Sequence, residues 1–384
     1  MKSILLASAS IVAFAGAAAA EVTFEGSATV GYQDTDSPAK ADDDYGFYWD
    51  ATLSTTFSME LDNGVTAAAT FDIDVADDDT SIDLESAGYL FSLTADMGAM
   101  YFGETAFAAE TYWSPVGDME QDGFSEADGE TVLRGEVMFG GVTAGASYVV
   151  ADAGNDMVED SSDQIVDQLS VGATGEFAGF TFAVAYQEES DFADDADEDA
   201  VSGLYDPVDE NGDFNPDEVF GVRVGATFAG ADIALGYAQN MTDDASSLGV
   251  QASYPIGPIT ATAYYVLEEI DGVDDVEDNY GLTVAYASGP IAATADYDYD
   301  QGTNKFNVDG SYDIGNGVMV VAGLEYQTDP DKGTDYYAGV VVDLGSGAEV
   351  LAAYAEDGDD DDADQEIGTY ELEDGITVEA SFTF

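Results

Sequence analysis

Residues Ile376-Thr377-Val378-Glu379-Ala380-Ser381-Phe382-Thr383-Phe384 alternate apolar and polar side chains up to the last position of the chain. Successive side chains of an extended strand point to opposite faces. Ile376, Val378, Ala380, Phe382 and Phe384 therefore share one face, and Thr377, Glu379, Ser381 and Thr383 share the other. One face suits lipid and the other suits water, as in a strand of a membrane-spanning barrel. A soluble sandwich strand shows the same alternation once, so the weight of the pattern comes from its repetition.

The repetition is extensive. From Glu21 onward the chain cycles through an alternating segment, a tight turn, a second alternating segment and an acidic loop. The turns are Leu61-Asp62-Asn63-Gly64, Asp96-Met97-Gly98, Gly140-Gly141, Ala178-Gly179, Ala229-Gly230, Ile256-Gly257-Pro258, Ser288-Gly289-Pro290, Ile314-Gly315-Asn316-Gly317 and Gly345-Ser346-Gly347. Gly and Asn recur there because short hairpin turns need positive φ. Nine hairpins flanked by a first and a last strand give 20 segments, within a range of 16 to 20 for a pattern count. Short turns on one rim and long acidic loops on the other predict an all-β, antiparallel up-and-down transmembrane β-barrel.

Aromatic spacing places that barrel in a bilayer. Tyr148, Tyr186, Tyr237, Tyr265, Tyr297 and Tyr354 each lie seven residues beyond the preceding turn. At about 3.3 Å per residue and a tilt near 40°, that offset is roughly 18 Å of height, so the rings form one horizontal belt. Phe139, Phe177 and Phe228 stand just before their turns and mark the belt at the other interface. Strand propensity explains abundant tyrosine but not a constant offset.

The N-terminus reads as an export signal. Lys2, the apolar stretch from Ile4 to Phe14 and the run Ala17-Ala18-Ala19-Ala20 give a charged region, a short apolar region and a small-residue cleavage site. The expected organisation is a signal peptide over residues 1–20 and a single barrel domain over 21–384. The chain has no cysteine and no histidine, which removes disulfides, thiolate chemistry and the usual base of hydrolytic triads. No catalytic or cofactor-binding constellation emerges, so the protein reads as a non-enzyme. With 81 acidic against 6 basic side chains, nucleic acid is excluded as a partner. Such charge argues for disorder in an apolar-poor chain. Here 46% apolar and 12% aromatic content, laid out in alternation, argues for a folded frame with acidic loops.

Residues 104–130 read as the longest connection between strands and as the candidate functional loop. They hold Tyr112, Trp113, Pro115 and Phe124 among Glu104, Glu110, Asp118, Glu120, Asp122, Glu126, Asp128 and Glu130. Aromatics in so acidic a loop imply that it packs on something. By alternation, Arg134, Arg223 and Lys305 are the wall cations on the water-facing side, with Asp50, Asp72, Asp74, Glu136, Asp296, Asp298 and Asp309 as acids on that side. Glu136 is placed to neutralise Arg134, and Asp309 to do the same for Lys305. A hydrated lumen is expected to leave nearly all these acids ionised at pH 7.

The run Asp96-Met97-Gly98-Ala99-Met100-Tyr101-Phe102-Gly103-Glu104, the segment Glu21-Val22-Thr23-Phe24-Glu25-Gly26 and the terminal Phe384 resemble the Gram-negative general porins. The resemblance implies an outer-membrane location, a homotrimer, a third external loop folded inward as a constriction, and a terminal aromatic read by the barrel-assembly machinery. In that family the inward loop faces a cluster of arginines and lysines; this chain departs from the pattern, having three wall cations against eight loop carboxylates.

The function expected is a water-filled channel for passive diffusion of small hydrophilic solutes, with a preference for cations. The alternative is a non-conducting surface or adhesion barrel acting through its acidic loops. The runs Asp357 to Asp364 and Asp194 to Asp199 read as solvated loops, with weak Ca²⁺ or Mg²⁺ association as their only metal chemistry. Residues 206–218 fail an EF-hand comparison, since the sixth position is Phe214 and the twelfth falls at Phe220.

Overall fold

Period-two alternation between turn residues produces strands wherever it occurs. In the computed structural model, which describes residues 20–34, 46–77, 85–127, 130–150, 166–190, 214–273, 276–328, 333–358 and 367–384, twenty strands form one sheet. They are β1 (Glu21–Asp34), β2 (Gly46–Glu60), β3 (Thr66–Asp77), β4 (Glu85–Ala95), β5 (Gly98–Gly103), β6 (Val132–Phe139) and β7 (Val142–Val149). Next come β8 (Asp167–Phe177), β9 (Phe180–Gln187), β10 (Val219–Phe228), β11 (Ala231–Asn240), β12 (Ala245–Ile256), β13 (Ile259–Ile270) and β14 (Asn279–Ser288). The last are β15 (Ile291–Asp300), β16 (Thr303–Gly315), β17 (Val318–Gln327), β18 (Thr334–Gly345), β19 (Ala348–Glu356) and β20 (Gly375–Thr383). Each strand pairs antiparallel with its sequence neighbours, and β1 pairs with β20 to close the barrel, Ser27 standing opposite Thr383. At the seam, Phe384 N–H donates to Gly26 O at 2.9 Å and Gly26 N–H returns the bond to Phe384 O at 2.7 Å. No helix among the described residues is long and apolar enough to cross a membrane.

All nine turns read from the sequence connect the strands expected of them. Ala178 and Gly179 take φ of 54° and 84°, the paired positive values of the hairpin turn that suits twisted strands. Two of the turns share a further device: Asp313 Oδ1 accepts from Gly315 N–H and Asp343 Oδ1 from Gly345 N–H, each at 2.7 Å across a local bulge. The opposite rim is less uniform than the repeat implies. Two of its connections, residues 241–244 and 301–302, are themselves tight, because Asp244 and Gln301 adopt positive φ in place of a long excursion.

The outer face is apolar from rim to rim. Leu235, Leu248, Val250, Leu267 and Leu282 are exposed along it, and Phe139, Phe177 and Phe228 are 74% or more exposed beside their turns. Outward tyrosines at the far rim direct their hydroxyls to carboxylates at the strand ends: Tyr186 donates to Glu218 at 2.8 Å and Tyr354 to Glu356 at 2.9 Å. An apolar ring body with a polar tip at the boundary is what an interfacial belt requires. Buried side chains gather on the opposite, inner face, in four clusters against the wall.

Candidate functional site

The connection from β5 to β6 turns inward and lies along the wall. Its first feature is the one-turn helix α1 (Ala108–Tyr112). Phe107 precedes it in extended conformation, and the Glu110 carboxylate accepts from Phe107 N–H at 3.0 Å. The next two amides, which the helix itself leaves unpaired, donate to wall hydroxyls: Ala108 to Ser147 Oγ at 2.9 Å and Ala109 to Ser170 Oγ at 2.8 Å. Strands β7 and β8 thus cap a helix that their own sequence does not contain.

Beyond α1 the loop alternates apolar anchors with backbone bonds to the wall. Phe107 is fully buried with Val132, Val149 and Phe214, and Trp113 meets Phe124 edge-on at 5.7 Å. Val116 and Met119 pack on Ala234, Ala238 and Val266. Gln121 N–H donates to Ser247 Oγ at 3.0 Å, Ser125 N–H to Gln187 Oε1 at 2.7 Å, and Asn279 Nδ2 to Asp118 O at 3.1 Å. Inward glycines make room for this packing. A Cβ on Gly172 would lie 2.6 Å from Ala108 O, and one on Gly221 only 2.7 Å from the Trp113 ring. Every wall residue named here shares strand parity with the inner face; its immediate neighbours Tyr148, Leu235, Leu248 and Leu267 face outward. The loop is therefore inside the barrel.

These wall partners were not singled out in the sequence. Their signal was glycine, alanine and serine at inward positions of β7 to β14, where a lumen-facing residue would otherwise be larger or charged. Nor is 104–130 the longest connection, since residues 188–218 between β9 and β10 exceed it. The end of that longer loop braces the first. The Phe214 ring lies tilted against Phe107 with centroids 6.1 Å apart, Ser125 Oγ donates to Asn215 O at 2.8 Å, and Asn215 N–H donates back to Ser125 Oγ at 3.0 Å.

The loop carboxylates divide by environment. Glu104 and Glu126 are exposed, Glu130 is buried, and Asp128 lies outside the described residues. Partial desolvation raises the carboxyls of Glu110, Asp118, Glu120 and Asp122 above the usual range, contrary to the expectation of little desolvation, because the packed loop removes part of their water even where, as at Asp118 and Glu120, the side chain stays exposed. Asp122 is pushed to about 6, although the Trp113 indole, donating to it at 2.7 Å, opposes the shift. Asp118, Glu120 and Asp300 bring one oxygen each within 4.8 Å of one another. They are the described residues arranged to hold a cation, and Lys305 Nζ already stands 2.7 Å from Asp300.

Wall cations are engaged differently from the pairing expected. Arg134 donates to Ala106 O at 3.0 Å and to Thr111 Oγ1, and its guanidinium carbon lies 4.8 Å above the Tyr101 ring. Glu136 instead accepts from Tyr112 at 2.9 Å and Tyr101 at 3.4 Å. Asp309 accepts from the Tyr337 hydroxyl at 2.7 Å, leaving Lys305 to Asp300. Alternation assigns only a face to each residue; the partners come from the loop and the neighbouring strands. Arg223, on β10, opposes Gly236 and Ala183 beside the loop, and its Nε is enclosed. Asp50, Asp72 and Asp74 lie on β2 and β3, away from the wall strands that the loop is bonded to. Thr52 donates to Asp74 at 3.3 Å. The acidic runs at 194–199 and 359–364, and the N-terminal segment 1–19, lie outside the described residues.

A family model described as Gram-negative porin matches residues 7–361. Among solved structures, a triple mutant of the Rhodopseudomonas blastica porin aligns over 79% of this chain and all of its own, at 15% identity and a TM-score of 0.47. Another substituted form of that porin aligns over 94% of this chain and all of its own, at 14% identity and a TM-score of 0.45. No curated protein matches.

Proposed function

Given that the chain belongs to the Gram-negative porin family and is an outer-membrane channel barrel, we propose that it forms a water-filled passage for small hydrophilic solutes and prefers cations. Residues 104–130 make the constriction. The supporting observation is the fate of the positive side chains. Arg134 is bonded to the loop, Arg223 stands beside it, and Lys305 is paired with Asp300. Asp50, Asp72 and Asp74 remain on β2 and β3 with Asp118 and Glu120 at the loop surface, so the field a solute meets is negative. Among the described wall cations, chloride entering such a passage meets Arg134 and Lys305 already bonded and Arg223 beside the loop; potassium meets carboxylates at several levels. Three copies assembling as a homotrimer, and Phe384 acting as the assembly signal, complete the reading that family membership supports.

The test is a planar-bilayer recording of the purified barrel in a KCl gradient. The expected reversal potential has the sign of potassium preference, and its magnitude shrinks as ionic strength rises and the Debye length falls. Chloride preference would overturn the charge argument and leave the channel standing. An absence of current across many insertions would favour a surface barrel instead.

A further inference from the structure

A second segment also enters the lumen. Between β19 and β20, Ile367 and Leu372 form an isolated antiparallel bridge, with N–H to O distances of 2.7 and 3.2 Å, around a 3₁₀ turn at Gly368–Tyr370. The turn closes because Gly368 and Glu371 take φ of 70° and 49°. Leu372 and Ile367 are 2% and 6% exposed, buried with Tyr337, Val341, Leu351 and Ala353. Those wall residues are inward by parity, since Tyr336, Val340 and Tyr354 beside them face out. Tyr370 packs on the same cluster together with Met319, which is one residue into β17 from its short turn. The tip therefore reaches far down the barrel, on an arc of wall that the first loop leaves free.

Between tip and wall is a cleft of about 180 Å³, lined by Thr294, Asp309, Ser311, Tyr337, Thr369 and Tyr370 among others. The two tyrosine rings meet edge-on, centroids 6.3 Å apart and planes at 66°. Asp309 sits at their side with one oxygen taken by Tyr337, and Thr369 Oγ1 lies 3.4 Å from the same hydroxyl. Lys305, four residues earlier on the same face, is held by Asp300 instead. Aromatic faces and a carboxylate attract the same kind of ligand, one whose positive charge is spread over small alkyl groups. The volume is well below that of a drug-sized pocket and suits a solute of a few heavy atoms.

We infer that the tip Ile367–Leu372 is a second solute-contacting element, and that the cleft it closes against β15 to β18 binds a small organic ammonium cation. The inference rests on the channel reading. Single-channel current in KCl should fall in a concentration-dependent way when tetramethylammonium chloride is added, and an equal concentration of glucose should leave it unchanged. D309N, which keeps an acceptor for Tyr337, and Y370A should each weaken the block at least fivefold, after heat-modifiable migration has shown that the variants assemble. Calorimetric titration of tetramethylammonium into the detergent-solubilised barrel should show the same ranking without requiring insertion. Block of equal strength in all three proteins, or potassium current with no block, would overturn the inference and spare the channel. Failure to conduct potassium at all would fail the channel reading and this inference with it.

Discussion

Asp122 should behave as a titrating latch on the inward loop. Its carboxyl is raised from the ordinary 3.8 to about 6, chiefly by burial, with Asp118 and Glu120 of the loop adding repulsion. Glu268 faces the same region from β13, bonded to Glu120 N–H and Ser247. Holding Asp122 charged in that setting costs about 3 kcal/mol relative to water. The sign follows from the raised value: the docked loop binds the proton more tightly than an undocked loop does. Docking therefore strengthens as pH falls through 6 and levels off near 4. The chain has two tryptophans, of which Trp49 is 43% exposed on the outer face while Trp113 donates to Asp122. In a W49F protein the Trp113 emission should titrate with a midpoint near pH 6. D122N, whose amide oxygen still accepts from the indole, should abolish that titration and hold the low-pH spectrum at pH 8. A midpoint below pH 5, or an unchanged titration in D122N, would refute the reasoning.

Three further outcomes are expected. Gly221→Val should drive the Trp113 ring off the wall, raising single-channel conductance and the size cutoff in liposome swelling assays; both unchanged would place the constriction elsewhere. Replacing Asp50, Asp72 and Asp74 by Asn should reduce the potassium-to-chloride permeability ratio at low salt by severalfold, with a smaller effect at 1 M salt, where the Debye length is roughly 3 Å. Deleting Phe384 removes two backbone bonds to Gly26 and should lower outer-membrane yield while leaving conductance per inserted channel unchanged; full yield would count against a terminal assembly signal.

Strands and turns were legible because period-two alternation and turn chemistry are local, and each hairpin carries its own signal. Aromatics among the acids of 104–130 pointed to a loop that packs on something for a similarly local reason, since Trp113 and Phe124 need a surface to rest on, while its inward direction came only from the family resemblance. What that surface is was harder to see. Gly172, Gly221, Ser147 and Ser170 are unremarkable within their own strands, and acquire meaning only when eight strands stand side by side. The charge pairs failed for a related reason: spacing on a strand fixes which face Arg134 and Lys305 occupy, but a folded-in loop or a rotamer decides what they touch. The second inward tip gave no signal, because Ile367 to Leu372 is too short to show periodicity and follows a run of aspartates.

The β1–β20 seam differs from every other pairing among the described strands in one respect: its partners lie at opposite ends of the sequence. Each remaining ladder joins strands adjacent in the chain and can zip as soon as both are present. Until the last nine residues arrive, the molecule is an unclosed sheet with two bare rows of amides and carbonyls, on β1 and on β19. Such a sheet cannot lie stably in hydrocarbon, where an unpaired peptide group has no water to turn to. Loss of β20 would therefore do more than narrow the ring by one stave; it would leave an open sheet with no stable place in the bilayer.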